Sequence, residues 1–227
     1  MRKALIGLVF GMAFAVATPA AADVSIGINV PTYPRLVAVP GVPVYYAPTV
    51  AGNYFFYDGL YWVFQGNGWY ASDWYNGPWR MVPPDAVPLY VLRVPVRYYR
   101  YPPPYFRGWR ADYAPRWGER WGRDWEARRS GWDQWDHRRV PRPAPPPVYQ
   151  RSFAGDRYPR EVEQQRSIHA ARYGYQPHEP VTRQYYGDPG NWRGEHERRD
   201  GGEHRPPGHS PRGEGRGRGE ERGEGHR

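Results

Sequence analysis

Residues 53–79 read NYFFYDGLYWVFQGNGWYASDWYNGPW, and twelve of these 27 side chains are aromatic. Asp58-Gly59 falls between two aromatic runs. Both residue types tolerate positive φ, so the pair is a preferred centre for a two-residue type I′ hairpin turn. Gly66-Asn67-Gly68 predicts a second turn, of three residues, and Asn76-Gly77-Pro78 a third break. The stretch reads as an antiparallel meander, with strands at 53–57, 60–65 and 69–74 and a short fourth at 79–82.

Turns set register, and register assigns each ring to a face. Across Asp58-Gly59, Tyr57 opposes Leu60, Phe56 opposes Tyr61 and Phe55 opposes Trp62. Across the second turn, a three-residue loop places Gln65 opposite Trp69, Phe64 opposite Tyr70 and Trp62 opposite Ser72. One face then carries Phe55, Tyr57, Leu60, Trp62, Phe64, Tyr70 and Trp74, and is the expected core. The other carries Tyr54, Phe56, Tyr61, Val63, Gln65, Trp69, Ala71 and Asp73. Rings beside an amide and a carboxylate have the composition of a sugar-binding platform. Tyr54, Phe56, Tyr61, Trp69 and Asp73 are therefore candidate ligand contacts. The competing arrangement, and the preferred one, has this face covered by the Pro-rich segments 31–50 and 83–100 or by the Trp-rich zone, because a small sheet needs such cover.

The ends of the chain bound where it works. Met1-Arg2-Lys3 is basic, residues 4–17 are apolar, and Ala20-Ala21-Ala22 supplies small residues before Asp23. This is the pattern of a secretory signal peptide over 1–22, too short for a membrane span. The expectation is an exported protein, periplasmic or extracellular, with no transmembrane span after cleavage. The chain has no cysteine, so neither disulfides nor thiolate metal sites are available. Beyond Lys3 all basic residues are arginine or histidine. Arginine stacks on rings and pairs bidentately, although a GC-rich genome gives the same bias.

Three zones follow the leader. Residues 23–104 hold four aspartates and five arginines and form the expected aromatic-rich β domain. Within it VSIGINV (24–30) alternates like a strand, and VPVYY (42–46) is echoed by VPVRYY (94–99) as if the two flanked the sheet. Residues 105–138 are rich in Trp and charge. There Trp117, Trp121 and Trp125 recur at helical spacing, with Trp132 and Trp135 after a break at Ser130-Gly131. Glu119–Arg123 and Asp124–Arg128 are opposite-charge pairs at i, i+4. Gly118 and Gly122 weaken such a helix, so its stripe must be buried to hold it. The stripe either docks on the sheet of its own chain, the preferred arrangement, or meets another protein or a membrane interface.

Residues 139–227 contain seventeen arginines and thirteen acids among Pro and Gly, with few aliphatic side chains. Such a composition predicts a disordered tail with one short helical stretch near 160–171. The fold class expected overall is mainly β: a small antiparallel meander, a Trp-rich helical segment and a long disordered C-terminal tail.

Catalytic constellations are missing from the sequence. It has no G-x-S-x-G, H-E-x-x-H, P-loop or dinucleotide fingerprint. Asp73 and Asp85 are a carboxylate pair only by their nearness in sequence, and six of seven histidines lie beyond residue 138. The expectation is no enzyme, no metal and no cofactor, with a glycan-modifying enzyme as the remote rival should either aspartate lie in a cleft. The leading role is a binding or structural module for an envelope polysaccharide, lipopolysaccharide or another envelope protein. Export makes nucleic acid an improbable partner.

The pattern YDGLYWVFQGNGWYASDWYNGPW, followed by VPP, VPVRYY and the WGERWGRDWE segment, resembles a group of exported proteobacterial proteins. The resemblance spans about residues 31–138. It implies export and a small β module, and it implies no activity and no site residues.

Overall fold

The computed structural model describes residues 27–186. Six strands run in chain order: β1 Val37–Ala38, β2 Tyr45–Tyr46, β3 Asn53–Tyr57, β4 Leu60–Gln65, β5 Gly68–Ser72 and β6 Arg80–Val82. They pair as one antiparallel meander in the order β1-β2-β3-β4-β5-β6. Short helices follow: α1 Leu89–Leu92, α2 Trp117–Trp121, α3 Arg123–Arg128, α4 Val162–Arg172 and α5 Pro180–Tyr185. Among the described residues, helical residues outnumber strand residues, 31% against 14%. The mainly β expectation is therefore corrected to a β-sheet core wrapped in helical turns and loops.

The β3–β4 hairpin has the expected register, with Tyr57 opposite Leu60, Phe56 opposite Tyr61 and Phe55 opposite Trp62. Asp58 and Gly59 both take positive φ, 50° and 89°. The β4–β5 turn departs by one residue. Gly66 and Asn67 both sit at positive φ, so the loop has two residues, and Gln65 opposes Gly68. The slip turns β5 over. Trp69 now opposes Phe64 and joins the first face, while Tyr70 opposes Val63 on the second.

Both faces are covered. The first, with Phe55, Trp62, Phe64 and Trp69, packs under Val91, Leu92, Tyr99, Phe106, Trp117, Trp125 and Trp132. The second, with Tyr54, Phe56, Tyr61, Val63 and Tyr70, packs under Val30, Val50 and Ala144, with Tyr33, Leu36, Tyr158 and Tyr175 alongside. Segment 24–30 is not a strand over its described residues 27–30. Residues 94–99 do not match 42–46 either: Tyr45–Tyr46 is a strand, but Val96–Tyr98 is a 3-10 turn.

The largest correction concerns the tail. Residues 139–186 are folded against the sheet. Gln150 is fully buried and bonds the Tyr61 hydroxyl at 2.9 Å, the Tyr75 N–H at 3.3 Å and the Asp73 carbonyl at 2.8 Å. Gln165, also buried, donates to the carbonyls of Gly77 and Pro159, and its own carbonyl accepts from Trp74 Nε1. The expected helix near 160–171 is α4. The signal peptide at 1–22 and the tail beyond 186 lie outside the described residues, among which no helix is long and apolar enough to cross a membrane.

Candidate functional site

The sheet-face candidates do not form an open platform. Tyr54, Phe56, Tyr61 and Trp69 are buried. Trp69 sits on the opposite face from the other three because of the β5 slip. Asp73 is half-buried, and its carbonyl is held by Gln150. Asp85 is exposed and forks with Arg128 at 3.1 and 3.4 Å. That contact replaces the expected Asp124–Arg128 pair, and Glu119 pairs with Arg116 at 3.0 Å in place of Arg123.

The tryptophan stripe docks on its own sheet. Trp117 is fully buried, meets Phe64 and Trp69 edge-on at 5.3 and 5.9 Å, and donates its indole N–H to the Leu92 carbonyl. Trp125 and Trp132 are buried beside it, while Trp121 and Trp135 are half-buried. The helix breaks at Gly122, whose φ of 87° ends α2 and starts α3.

Beside this docked segment opens a cleft of about 890 Å³. Its walls come from the β1–β2 turn, the residues after α1, the 110–116 loop, both Trp helices and the 132–137 loop. Arg93 builds one wall. It is 6% exposed, and its guanidinium donates to the carbonyls of Gly131, Trp132 and Gln134 at 3.3, 2.5 and 3.0 Å. The same group lies over the Trp135 ring, 4.8 Å from its centroid. Burial lowers the Arg93 pKa, yet a guanidinium stays protonated at any physiological pH. One cation thus fixes three carbonyls of the 131–134 turn. His137 packs on Trp135 at 4.3 Å, and Trp135 Nε1 donates to the Gly41 carbonyl at 3.4 Å.

The cleft carries unspent polar groups. Asp112 and Glu119 are paired with Arg97 and Arg116. Glu126 and Asp133 line the cleft and form no close ion pair among the described residues, and Asp133 lies within the electrostatic reach of Arg93. The Glu126 carboxylate lies against Gly118, where an added Cβ would meet its oxygen at 2.5 Å. Tyr113 is 54% exposed, with the Arg110 guanidinium 3.9 Å from its ring centroid.

Two further polar clusters are committed to holding the fold. The buried Asp58 carboxylate accepts from the Tyr175 hydroxyl at 2.6 Å and from the N–H groups of His178 and Glu179 at 2.9 Å each. Tyr57 donates to Glu179 at 2.5 Å, and burial pushes the Glu179 carboxyl up. His169 is buried between the hydroxyls of Tyr149 and Tyr186, 2.7 and 2.9 Å from its two ring nitrogens. The Tyr186 hydroxyl donates to the Tyr175 carbonyl, which leaves it an acceptor for Nε2–H. The Tyr149 hydroxyl accepts from Gln150 Nε2 and gives its hydrogen to Nδ1, so the ring is held as the neutral Nε2–H tautomer, and burial lowers its pKa. No group of three or more metal-ligating side chains occurs among the described residues.

The cleft was not among the sites expected from sequence. One signal pointed toward it: Arg93 interrupts the apolar run VLRVPV (91–96), and a charge placed there requires partners. Comparison with protein-family models, with curated proteins and with solved structures returns no match.

Proposed function

We propose that this protein is an exported, non-enzymatic binding module of the cell envelope, and that the cleft beside Arg93 takes a segment of an envelope glycan. The observation that carries this reading is the exposed Tyr113 ring in the wall of the same cleft that the Glu126 and Asp133 carboxylates line. A ring face suits the C–H face of a pyranose, and carboxylates accept hydrogen bonds from its hydroxyls. Both walls are rigid before any ligand arrives, because Arg93 holds one and the docked tryptophans hold the other. Preorganisation of this kind lowers the cost of binding.

Trp132 and Trp135 line the cleft and report on it. Intrinsic fluorescence should shift on titration with fragments of peptidoglycan, lipopolysaccharide or exopolysaccharide. Tyr113→Ala should weaken that response about tenfold, the loss of one ring contact. A flat titration with all three glycans sinks the reading.

A further inference from the structure

Residues 97–123 hold seven arginines and two carboxylates. All seven arginines are exposed. Both carboxylates are already paired, Asp112 with Arg97 and Glu119 with Arg116. Among the described residues, Arg107, Arg120 and Arg123 form no ion pair. Arg120 instead lies over the Tyr105 ring, 4.8 Å from its centroid.

The rings between these arginines form a stacked column. Trp109 stacks on Phe106 at 4.5 Å and 27°, Phe106 meets Trp117 at 5.6 Å, and Trp117 stacks on Trp121 at 4.5 Å and 13°. The inner members, Phe106 and Trp117, are buried, and the two ends, Trp109 and Trp121, are half-exposed. Trp125 also abuts Trp121 at 4.7 Å. Its own chain thus occupies the stacking surfaces of Trp121, and little ring face remains for a sugar or a base. Phe106 covers one face of Trp109 and Trp117 one face of Trp121, so each end of the column shows solvent only part of its indole, set among guanidinium groups that form no ion pair.

We propose that this patch docks on an anionic lipid bilayer surface. Indole rings settle at the headgroup level of a membrane, with their apolar parts toward the acyl chains. Arginine forks match lipid phosphates bidentately and are attracted by the negative leaflet. A polysaccharide or a single-stranded nucleic acid needs a run of open ring faces, and this patch offers only two indoles, each covered on one side, so its charge and amphipathic rings favour the bilayer over either polymer. The patch is separate from the cleft: Arg107, Arg120, Arg123, Trp109 and Trp121 do not line it.

The test uses the full chain, wild type beside the triple variant Arg107→Gln/Arg120→Gln/Arg123→Gln. Both forms share every other basic segment. Co-sedimentation with phosphatidylethanolamine–phosphatidylglycerol vesicles should show wild-type binding, and the variant should partition roughly a hundredfold more weakly. Phosphatidylcholine vesicles should retain neither. In the wild type alone, lipids brominated near the glycerol end of the acyl chain should quench tryptophan fluorescence. Equal binding of both forms, no quenching, or wild-type capture only by soluble acidic polysaccharide or single-stranded nucleic acid would each overturn the proposal. Glycan titration of Tyr113→Ala reads the cleft independently, so either site can fail without the other.

Discussion

The two covers of the sheet are built by different physics. On the first face the cover is made of rings packed on rings, with Trp117 wedged against Phe64, Trp69 and Phe106. Its polar accounting is loose: the Trp69, Trp125 and Trp132 indole N–H groups and the Tyr99 and Tyr105 hydroxyls are buried with no partner, against the Trp79 N–H and the Tyr33 hydroxyl on the second face. On the second face hydroxyls and amides do most of the joining. Tyr54 donates to the Tyr75 carbonyl, Tyr61 to Gln150, Tyr75 to the Phe153 carbonyl and Tyr158 to the Gly77 carbonyl. Tyrosine against tryptophan decides which cover is possible. A phenol brings a donor to the layer interface and gains most where an acceptor meets it, whereas stacked indoles gain chiefly by area and ring contact.

The contrast breaks most visibly at the ring wedge. Trp117→Ala empties the centre of the first cover and should cost about 3–5 kcal/mol in urea denaturation. A cost below about 1 kcal/mol would mean that the rings are not packed as one layer. Gln150→Leu keeps volume but removes four hydrogen bonds from the second cover, with Tyr61, Tyr75, Asp73 and Tyr149, the first two fully buried. Each orphaned group costs about 1–3 kcal/mol, so a loss of about 3 kcal/mol in total is expected. Val91→Leu in the first cover, a purely apolar change, should cost less than that in the same assay.

Acid should separate the two covers. His169 is neutral in the fold and its pKa is depressed, so it contributes stability that is fully present above its unfolded pKa of about 6.5. That contribution is lost as pH falls below this value toward the folded pKa. Thermal melts from about pH 7 down to about pH 5 should fall, and His169→Gln should flatten the fall. Hydrogen exchange should rise first in α4 and α5, with the Trp helices following. Equal loss of protection in both covers would show that His169 does not control the second one.

The smallest effect concerns the cleft. Gly118→Ala places a methyl group where the Glu126 carboxylate rests. That carboxylate ends a flexible side chain and can swing away, so stability should change by no more than about 1 kcal/mol, the helix-propensity difference. Glycan titration should nonetheless weaken, because one hydroxyl acceptor has left the cleft.

How much of this was legible follows from the range of each determinant. The β3–β4 hairpin was readable because Asp58-Gly59 offers one good turn. Gly66-Asn67-Gly68 offers two, since each residue in it accepts positive φ, and a single position decided where Trp69 would go. The docking of Trp117 and Trp125 was readable from helical spacing and from glycines too weak to sustain an exposed helix. The second cover was not, because its cohesion comes from Gln150, Gln165, Tyr158 and Tyr175 finding partners far away in the chain. Low aliphatic content looked like disorder because hydroxyl and amide pairing leaves no periodic trace. The cleft gathers its walls from residues 40 to 137, and only Arg93 hinted at it locally.

The Asp58 turn has a consequence for the order of assembly. Its carboxylate takes amide donors from His178 and Glu179, 120 and 121 positions further along. The hairpin closes over a few residues, but its buried charge is satisfied only when the chain returns from that distance. A chain that emerges amino end first therefore holds this turn unsaturated until residue 179 is free. Long-range closure of this kind slows folding. Truncation anywhere between 139 and 179 should leave a sheet whose second side stays wet, and that makes this stretch the timekeeper of maturation.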